Sequence, residues 1–225
     1  MSRIIMFAVV FRPHGQDEAK EPYMNLRDVI PTAENSTNFD VVPNAITEVG
    51  STLENLKAAV MGETGASAKY AACAKAAKEQ GYDQIARLFE ATSAAEQIHI
   101  GLEVGVIQQT EPDYERPAAP DAEGIATDLN LIAGALGEIY ETSDMYPSFI
   151  KKAQEDGDKK AEFVFTRAKL AESVHAELYM DAYNNIDAPT DEAYYLCPIC
   201  GYIHKGDDFE KCPICFTPAD KFRKF

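Results

Sequence analysis

Apolar positions repeat with a helical period over most of the chain, and the breaks in that period fall at turn-forming residues. From about Ser51, residues Leu53, Leu56, Val60, Ser67, Tyr70 and Ala74 share one face, Ser51 or Thr52 caps the start, and Gly81 stands at the C′ position after the last periodic turn. A second helix is predicted over about 82–109, with Ile85, Leu88, Phe89, Thr92 and Val106 inward. Pro112, Pro117 and Pro120 make the next segment a long connection. Asp121 is expected to cap a third helix carrying Ile125, Leu129, Ile132, Leu136 and Met145, kinked at Pro147 and ended by Gly157. A fourth runs over about 158–185, with Phe165, Ala168, Leu170, Tyr179 and Tyr183 inward. Two helical hairpins joined by one long crossover make the expected class mainly α, a ferritin-like four-helix bundle over 49–188.

The flanks read differently. Residues 1–48 contain Pro13, Pro22, Pro31 and Pro43 and no sustained period, so they form an N-terminal extension of unassigned role. The apolar run Ile4–Phe11 within it is short for a secretory leader and has no small-residue cleavage site close behind, so a leading strand or docking segment is expected. Pro189 and polar neighbours link the bundle to a cysteine-rich tail over 194–225, read as a small C-terminal metal-binding domain.

Composition narrows the function. The chain of 225 residues is 46% apolar and 26% charged, enough for a sizeable core, and carries a formal net charge of −16. Without a basic stripe to neutralise phosphates, nucleic acid is not an expected partner. No stretch approaches the roughly 20 apolar residues of a membrane span, so no membrane role is expected either. Four of the five cysteines form two Cys-Pro-Ile-Cys runs, Cys197/Cys200 and Cys212/Cys215. Paired C-x-x-C spacing points to a tetrathiolate metal site rather than disulfides, and so to a reducing, cytoplasmic compartment. Cys73, alone in an Ala-rich helix, reads as a small buried apolar residue.

Several acidic residues fall on the apolar faces of the helices. They are Glu63 in the first, Glu96 with His99 in the second, Glu138 with Glu141 in the third, and Glu172 with His175 in the fourth. Their heights agree. Glu63 lies 18 residues before Gly81, and Glu96 and His99 lie 15 and 18 after it. Glu138 and Glu141 lie 19 and 16 before Gly157, and Glu172 and His175 lie 15 and 18 after that glycine. At 1.5 Å rise per residue all seven sit roughly 22 to 29 Å from their turns, so antiparallel folding brings them into one layer. Five carboxylates in an apolar layer repel one another and lose hydration worth several kcal/mol per ion. Two iron ions, with charges summing to +4 or +6, offset that charge; otherwise protons must, with strongly raised pKa values. Glu in each helix, with E-x-x-H in two, is the pattern of di-iron carboxylate bundles. Glu103, one turn beyond His99 on the same face, reads as a supporting or solvent-facing residue.

Three segments carry a family resemblance. TLENLKAAVMGETGASAKY (52–70) resembles the first helix of rubrerythrins, and GEIYETSDMYP (137–147) resembles their third, where that family has an extra glutamate. CPICGYIHKG (197–206) with Cys212-Pro-Ile-Cys215 resembles rubredoxin. The likeness covers about residues 50–225; the 1–48 extension has no obvious counterpart. It implies two non-haem Fe ions in the bundle and one Fe bound by the four cysteines. It also implies roles. Glu96 and Glu172 bridge the irons; Glu63 is a terminal ligand of one, Glu138 and His175 of the other. The first iron takes Glu141 when diferric and His99 when diferrous, and Tyr70 and Tyr146 hydrogen-bond around the site. The implied activity is a peroxidase that reduces hydrogen peroxide to water in oxidative-stress defence, NAD(P)H-linked through an external reductase or rubredoxin. Homodimers or higher homo-oligomers are expected. A structural zinc ribbon is the rival reading of the tail, and the Cys-Pro-x-Cys-Gly-Tyr run together with a di-iron site in need of a donor favours iron. A ferroxidase or iron-storage protein is the rival reading of the bundle, and an appended electron-transfer domain argues against it.

Overall fold

The computed structural model describes residues 45–225. The expected strand or docking segment at Ile4–Phe11 and nearly all of the N-terminal extension lie outside the described residues.

Helix α1 (Thr52–Glu79) opens with a capping box. The Ser51 hydroxyl accepts from the Glu54 N–H, and the Glu54 carboxylate accepts from the Ser51 N–H at 2.8 Å. Gly81, at φ +86°, turns the chain into α2 (Asp83–Ile107). The two pack along their length as the first hairpin. The connection then crosses the bundle to α3 (Thr127–Tyr140). Asp121 does not cap α3. Its first turn is held instead by Gln80 at the end of α1, whose side-chain oxygen accepts from the Thr127 N–H at 3.0 Å and hydroxyl at 2.9 Å. Asn130 holds Ile125 with a reciprocal pair of bonds, so 121–126 stays non-helical.

The expected kink at Pro147 takes a specific form. Residues Glu141–Met145 make a π-helical turn immediately before α4 (Tyr146–Asp156), and the Tyr146 N–H reaches the Glu141 carbonyl. A proline has no N–H to donate and its ring collides with the carbonyl four residues earlier; widening the preceding turn absorbs both defects without ending the helix. Gly157, in the left-handed region at φ +72°, closes α4, and Asp158 caps α5 (Lys159–Asn184).

Besides a small cluster around the tail cysteines, the buried residues form two apolar clusters, one on each side of the carboxylate layer. One contains Tyr70, Cys73, Phe89, Leu131 and Tyr179; the other contains Leu56, Val60, Ile107, Tyr146, Phe149 and Phe165. Cys73 is buried as expected, and burial pushes its thiol up to about 11. Three residues expected inside are exposed: Ile125 at 51%, Leu136 at 37% and Leu170 at 44%. Ile125 precedes the helix it was assigned to, and the other two stand on outer faces of α3 and α5, where their neighbours Ala135 and Ala171 are the buried residues.

The tail is a three-stranded antiparallel sheet in the order β2-β1-β3, from β1 (Tyr194–Leu196), β2 (Ile203–Lys205) and β3 (Arg223–Lys224). It docks on the bundle. Tyr194, Leu196 and Ile203 join the first apolar cluster, and Lys205 bonds Asp181 of α5 at 2.7 Å.

Candidate metal centres

Of the seven side chains expected in one layer, six meet around two overlapping sites. Glu63, Glu96, His99 and Glu172 form one group, and Glu96, Glu138, Glu172 and His175 the other. Within each group the ligand atoms lie within 4.8 Å of one another. Glu96 and Glu172 belong to both. Glu172 sits between the two histidines, with Oε1 2.6 Å from His99 Nδ1 and Oε2 2.7 Å from His175 Nδ1. Glu141 is in neither group. It is the first residue of the π-helical turn and is 9% exposed.

The imidazoles are oriented from outside the layer. His99 Nε2 lies 3.1 Å from the Cys200 carbonyl, and His175 Nε2 lies 2.9 Å from the Gly201 carbonyl. A carbonyl only accepts, so both Nε2 atoms carry the proton and both Nδ1 atoms turn their lone pairs or second protons toward the carboxylates.

The charge balance without metal is severe. Burial, and then the neighbouring Glu172, push Glu138 up to about 8. Burial raises Glu96 and Glu141 well above the carboxylate range, helped by the surrounding glutamates. Burial opposes the charge on Glu172, but His99 and His175 overcome it and hold that carboxyl far below its usual range. The same attraction overcomes burial at both imidazoles and lifts them well above the ordinary histidine value. Even so, Glu63 Oε2, both oxygens of Glu96, Glu138 and Glu172, and both Nδ1 atoms have no geometrically sound hydrogen bond among the described residues. Buried polar atoms are normally satisfied. Oxygen and imidazole donors orphaned together, in two overlapping four-residue groups, fit a pair of iron ions.

Tyr146 donates to Glu63 and also lies 3.0 Å from Glu103 Oε1. Tyr70 packs its ring on Phe89 and Tyr179, and among the described residues no hydrogen bond joins it to a site carboxylate. The hydroxyl of Tyr179 pairs with Thr92 at 2.5 Å. Glu103 faces inward, not solvent. The seven-residue spacing from Glu96 put it on the same helix face but left the supporting and solvent-facing positions both open; nothing in the spacing signalled the carbonyls of Cys200 and Gly201.

The tail holds the second centre. The sulfurs of Cys197, Cys200, Cys212 and Cys215 lie within 4.8 Å of one another. The separations Cys197–Cys215 of 3.4 Å and Cys200–Cys212 of 3.5 Å are too long for disulfides. The Cys200 thiol beside it, with main-chain N–H groups, brings Cys197 down to about 5, a thiolate ready for metal. Tyr202 and Phe222 pack around the knuckles, and Tyr202 bonds His204 at 3.1 Å.

Residues 54–183 match the family model for rubrerythrin, and residues 195–223 match that for the rubrerythrin rubredoxin-like domain. The chain belongs to the rubrerythrin family. It is 66% identical to nigerythrin of Nitratidesulfovibrio vulgaris over 202 residues, covering 90% of this chain and all of that protein. It is 34% identical to rubrerythrin of the same organism, over 76% of this chain and 92% of that one. A structure described as the fully reduced, all-ferrous state of nigerythrin superposes with a TM-score of 0.82 at 67% identity, covering 87% of this chain and 97% of that chain. The partially reduced state matches equally well.

The chain thus has a ferritin-like bundle with a di-iron site of carboxylates and histidines, and a four-cysteine rubredoxin-like site. The family is one of oxidoreductases, and the rubredoxin-like domain implies electron transfer with redox partners. No helix among the described residues is long and apolar enough to cross a membrane.

Proposed function

We propose that the protein is a peroxidase of oxidative-stress defence that reduces hydrogen peroxide to water, with electrons entering through the four-cysteine centre. The overall step is H2O2 + 2 e⁻ + 2 H⁺ → 2 H2O. The observation that carries this reading is the docking of the tail on the site histidines, His99 to the Cys200 carbonyl and His175 to the Gly201 carbonyl. The cysteine whose sulfur belongs to the tail centre also supplies the carbonyl that holds His99, so the two centres are joined by one residue's covalent frame and a hydrogen bond. A mineral-forming protein has no use for that connection.

Glu96 and Glu172 are the bridging ligands in this reading, because each stands in both groups. Glu63 and His99 complete one side, Glu138 and His175 the other. Glu141, outside both groups, is the alternative to His99 on the first side, as the family resemblance implies, and the arrangement with the imidazole in place is the one expected of the reduced state. Two irons bound there would supply the two electrons that cleave peroxide; the chain's part is to hold them close with Glu96 and Glu172, keep water out with the apolar clusters, and offer Glu141 or His99 as the charge of the pair changes. An external reductase or rubredoxin, linked to NAD(P)H, recharges the tail. The thiolates suit a reducing, cytoplasmic setting, and a homodimer or higher homo-oligomer is the expected assembly.

Rapid mixing of the reduced, iron-loaded protein tests this. Fast reoxidation by hydrogen peroxide and slow reoxidation by dioxygen supports it. The opposite order, or uptake of hundreds of irons per chain, makes the protein a ferroxidase. A colourless chain whose tail retains only zinc removes the electron route.

A further inference from the structure

Glu103 is 1% exposed and lies seven residues after Glu96 on the inner face of α2, yet it belongs to neither metal group and has no part in the reaction above. Its Oε1 lies 3.0 Å from the Tyr146 hydroxyl, which also bonds Glu63 Oε1. Its Oε2 has no partner among the described residues.

Proton counting fixes the order of this chain. A phenol carries one proton and donates one hydrogen bond. It cannot serve two ionised carboxylates, and a second one left beside its oxygen would face lone pairs with lone pairs. Glu63, the residue that also faces His99, must be ionised to bind metal. The remaining proton then sits on Glu103, and the order is Glu103 O–H to the Tyr146 oxygen, Tyr146 O–H to Glu63. The surroundings agree. Tyr146 lies in the apolar cluster with Ile100, Ile107 and Phe149. Burial opposes a negative charge on Glu103.

We propose that Glu103 is a positioning residue which, as a neutral acid, fixes the Tyr146 proton on Glu63 and so raises the reduction potential of the di-iron site. A hydroxyl whose oxygen accepts a bond donates more strongly. A stronger bond into a ligand carboxylate draws charge away from the metal and favours its lower oxidation state. Glu63 stands in only one of the two groups, so the effect falls on the metal it shares with His99. This inference rests on Glu63 being an iron ligand, as read above.

The experiment uses the full iron-loaded chain and its variants Glu103→Gln, Glu103→Leu and Tyr146→Phe. Redox titration reads the midpoint of the di-iron site with the tail iron as internal control, and infrared spectroscopy reads protonated carboxyl groups. In the diferric state, where Glu141 is ionised as a ligand, the wild type shows a neutral carboxylic acid band that shifts in D2O and is absent from Glu103→Gln. The Gln amide still donates to Tyr146, so its di-iron midpoint stays at the wild-type value. Glu103→Leu and Tyr146→Phe both shift that midpoint to lower potential, with the tail iron unmoved. A band that persists in Glu103→Gln, or an unshifted di-iron midpoint in Glu103→Leu or Tyr146→Phe, overturns the inference and leaves the ligand reading standing. A wild-type chain that holds no iron pair in the bundle overturns the ligand reading and this inference with it.

Discussion

His175 and Gly201 meet across the boundary between bundle and tail, with the imidazole Nε2–H donating to the glycine carbonyl at 2.9 Å. The approach depends on Gly201 having no side chain. Its φ is +77°, and a Cβ there would stand 2.3 Å from His99 Nε2. Gly201→Ala therefore has to push the tail off the histidines, on top of the roughly 1–3 kcal/mol of a non-glycine residue in that backbone region. Both metal sites keep their own ligands in this variant. Stopped-flow mixing of the reduced variant with peroxide is expected to show the rate of tail oxidation, relative to that of the bundle irons in the same sample, falling at least tenfold below the wild-type ratio. Tail oxidation at the wild-type ratio would mean that electrons travel another way.

Helix α3 meets α5 at Gly134, where an added Cβ would lie 2.9 Å from Tyr179 Cε2, with two further ring atoms at 3.1 and 3.2 Å. The ring cannot swing aside, because it is buried against Tyr70 and Phe89 and its hydroxyl is tied to Thr92. Alanine in a helix interior gains up to about 1 kcal/mol over glycine, while overpacking a core costs about 1–3 kcal/mol. The overpacking wins here. Gly134→Ala is expected to lower the unfolding free energy by about 1–2 kcal/mol in a denaturant titration, and an increase in stability would show that the two helices are less tightly opposed.

Much of the site was legible because a bundle turns spacing into height. Glu63, Glu96, His99, Glu138, Glu172 and His175 could be stacked by counting from Gly81 and Gly157, since each hairpin folds back about one tight turn and a single π-helical turn shifts the height of Glu138 little. What stayed hidden depends on contacts that counting cannot reach. The start of α3 is set by Gln80, 47 residues earlier in the chain. The π-helical turn changes the angular position of every residue beyond it, and Glu141 is the expected ligand that stands on that turn and outside both groups. Leu136 and Leu170 are apolar on outer faces, where periodicity alone marks no difference from the core. The hydrogen bonds from the histidines to the tail involve main-chain carbonyls, which leave no trace in residue identity.

Metal-free protein should lose stability as the pH rises. The folded-state pKa of Glu138 is raised from 4.5 to about 8, and Glu96 and Glu141 move in the same direction. The folded state therefore holds more protons than the unfolded state across that interval, and its stability falls with increasing pH. His99 and His175 act the same way: their contribution is complete below 6.5 and is lost as the pH passes their raised folded values. Glu172, whose pKa is lowered, contributes above 4.5 and loses that contribution only in acid. Thermal melts of the metal-free chain from pH 5 to pH 8 are expected to show a falling midpoint. Iron loading, which needs ionised ligands, should reverse or flatten the trend. A metal-free midpoint that rises over this range would show that the layer is not charge-balanced by protons.

Glu172 and Glu141 make the sharpest contrast between ligands. Glu172 places one oxygen beside each histidine and stands in both metal groups, so no single metal can form without it. Glu172→Ala is expected to strip both bundle irons while the tail, with its own four cysteines, keeps its iron. Removing the carboxylate also leaves His99 and His175 facing each other with ring centroids 6.2 Å apart and their shared counter-charge gone. Breaking a buried pair in this way costs about 3–5 kcal/mol, so the metal-free variant should melt well below the metal-free parent. Glu141→Ala removes a carboxyl whose charge burial, and then the surrounding glutamates, disfavour and that neither group uses. It should leave the ferrous pair bound and the metal-free fold no less stable than the parent, and weaken iron retention only after oxidation, when the missing negative charge is needed. Iron per chain before and after a peroxide cycle checks both variants together. Equal loss of reduced-state iron from the two would show that Glu141 is already a ligand when the site is reduced, and that His99 does not stand in for it.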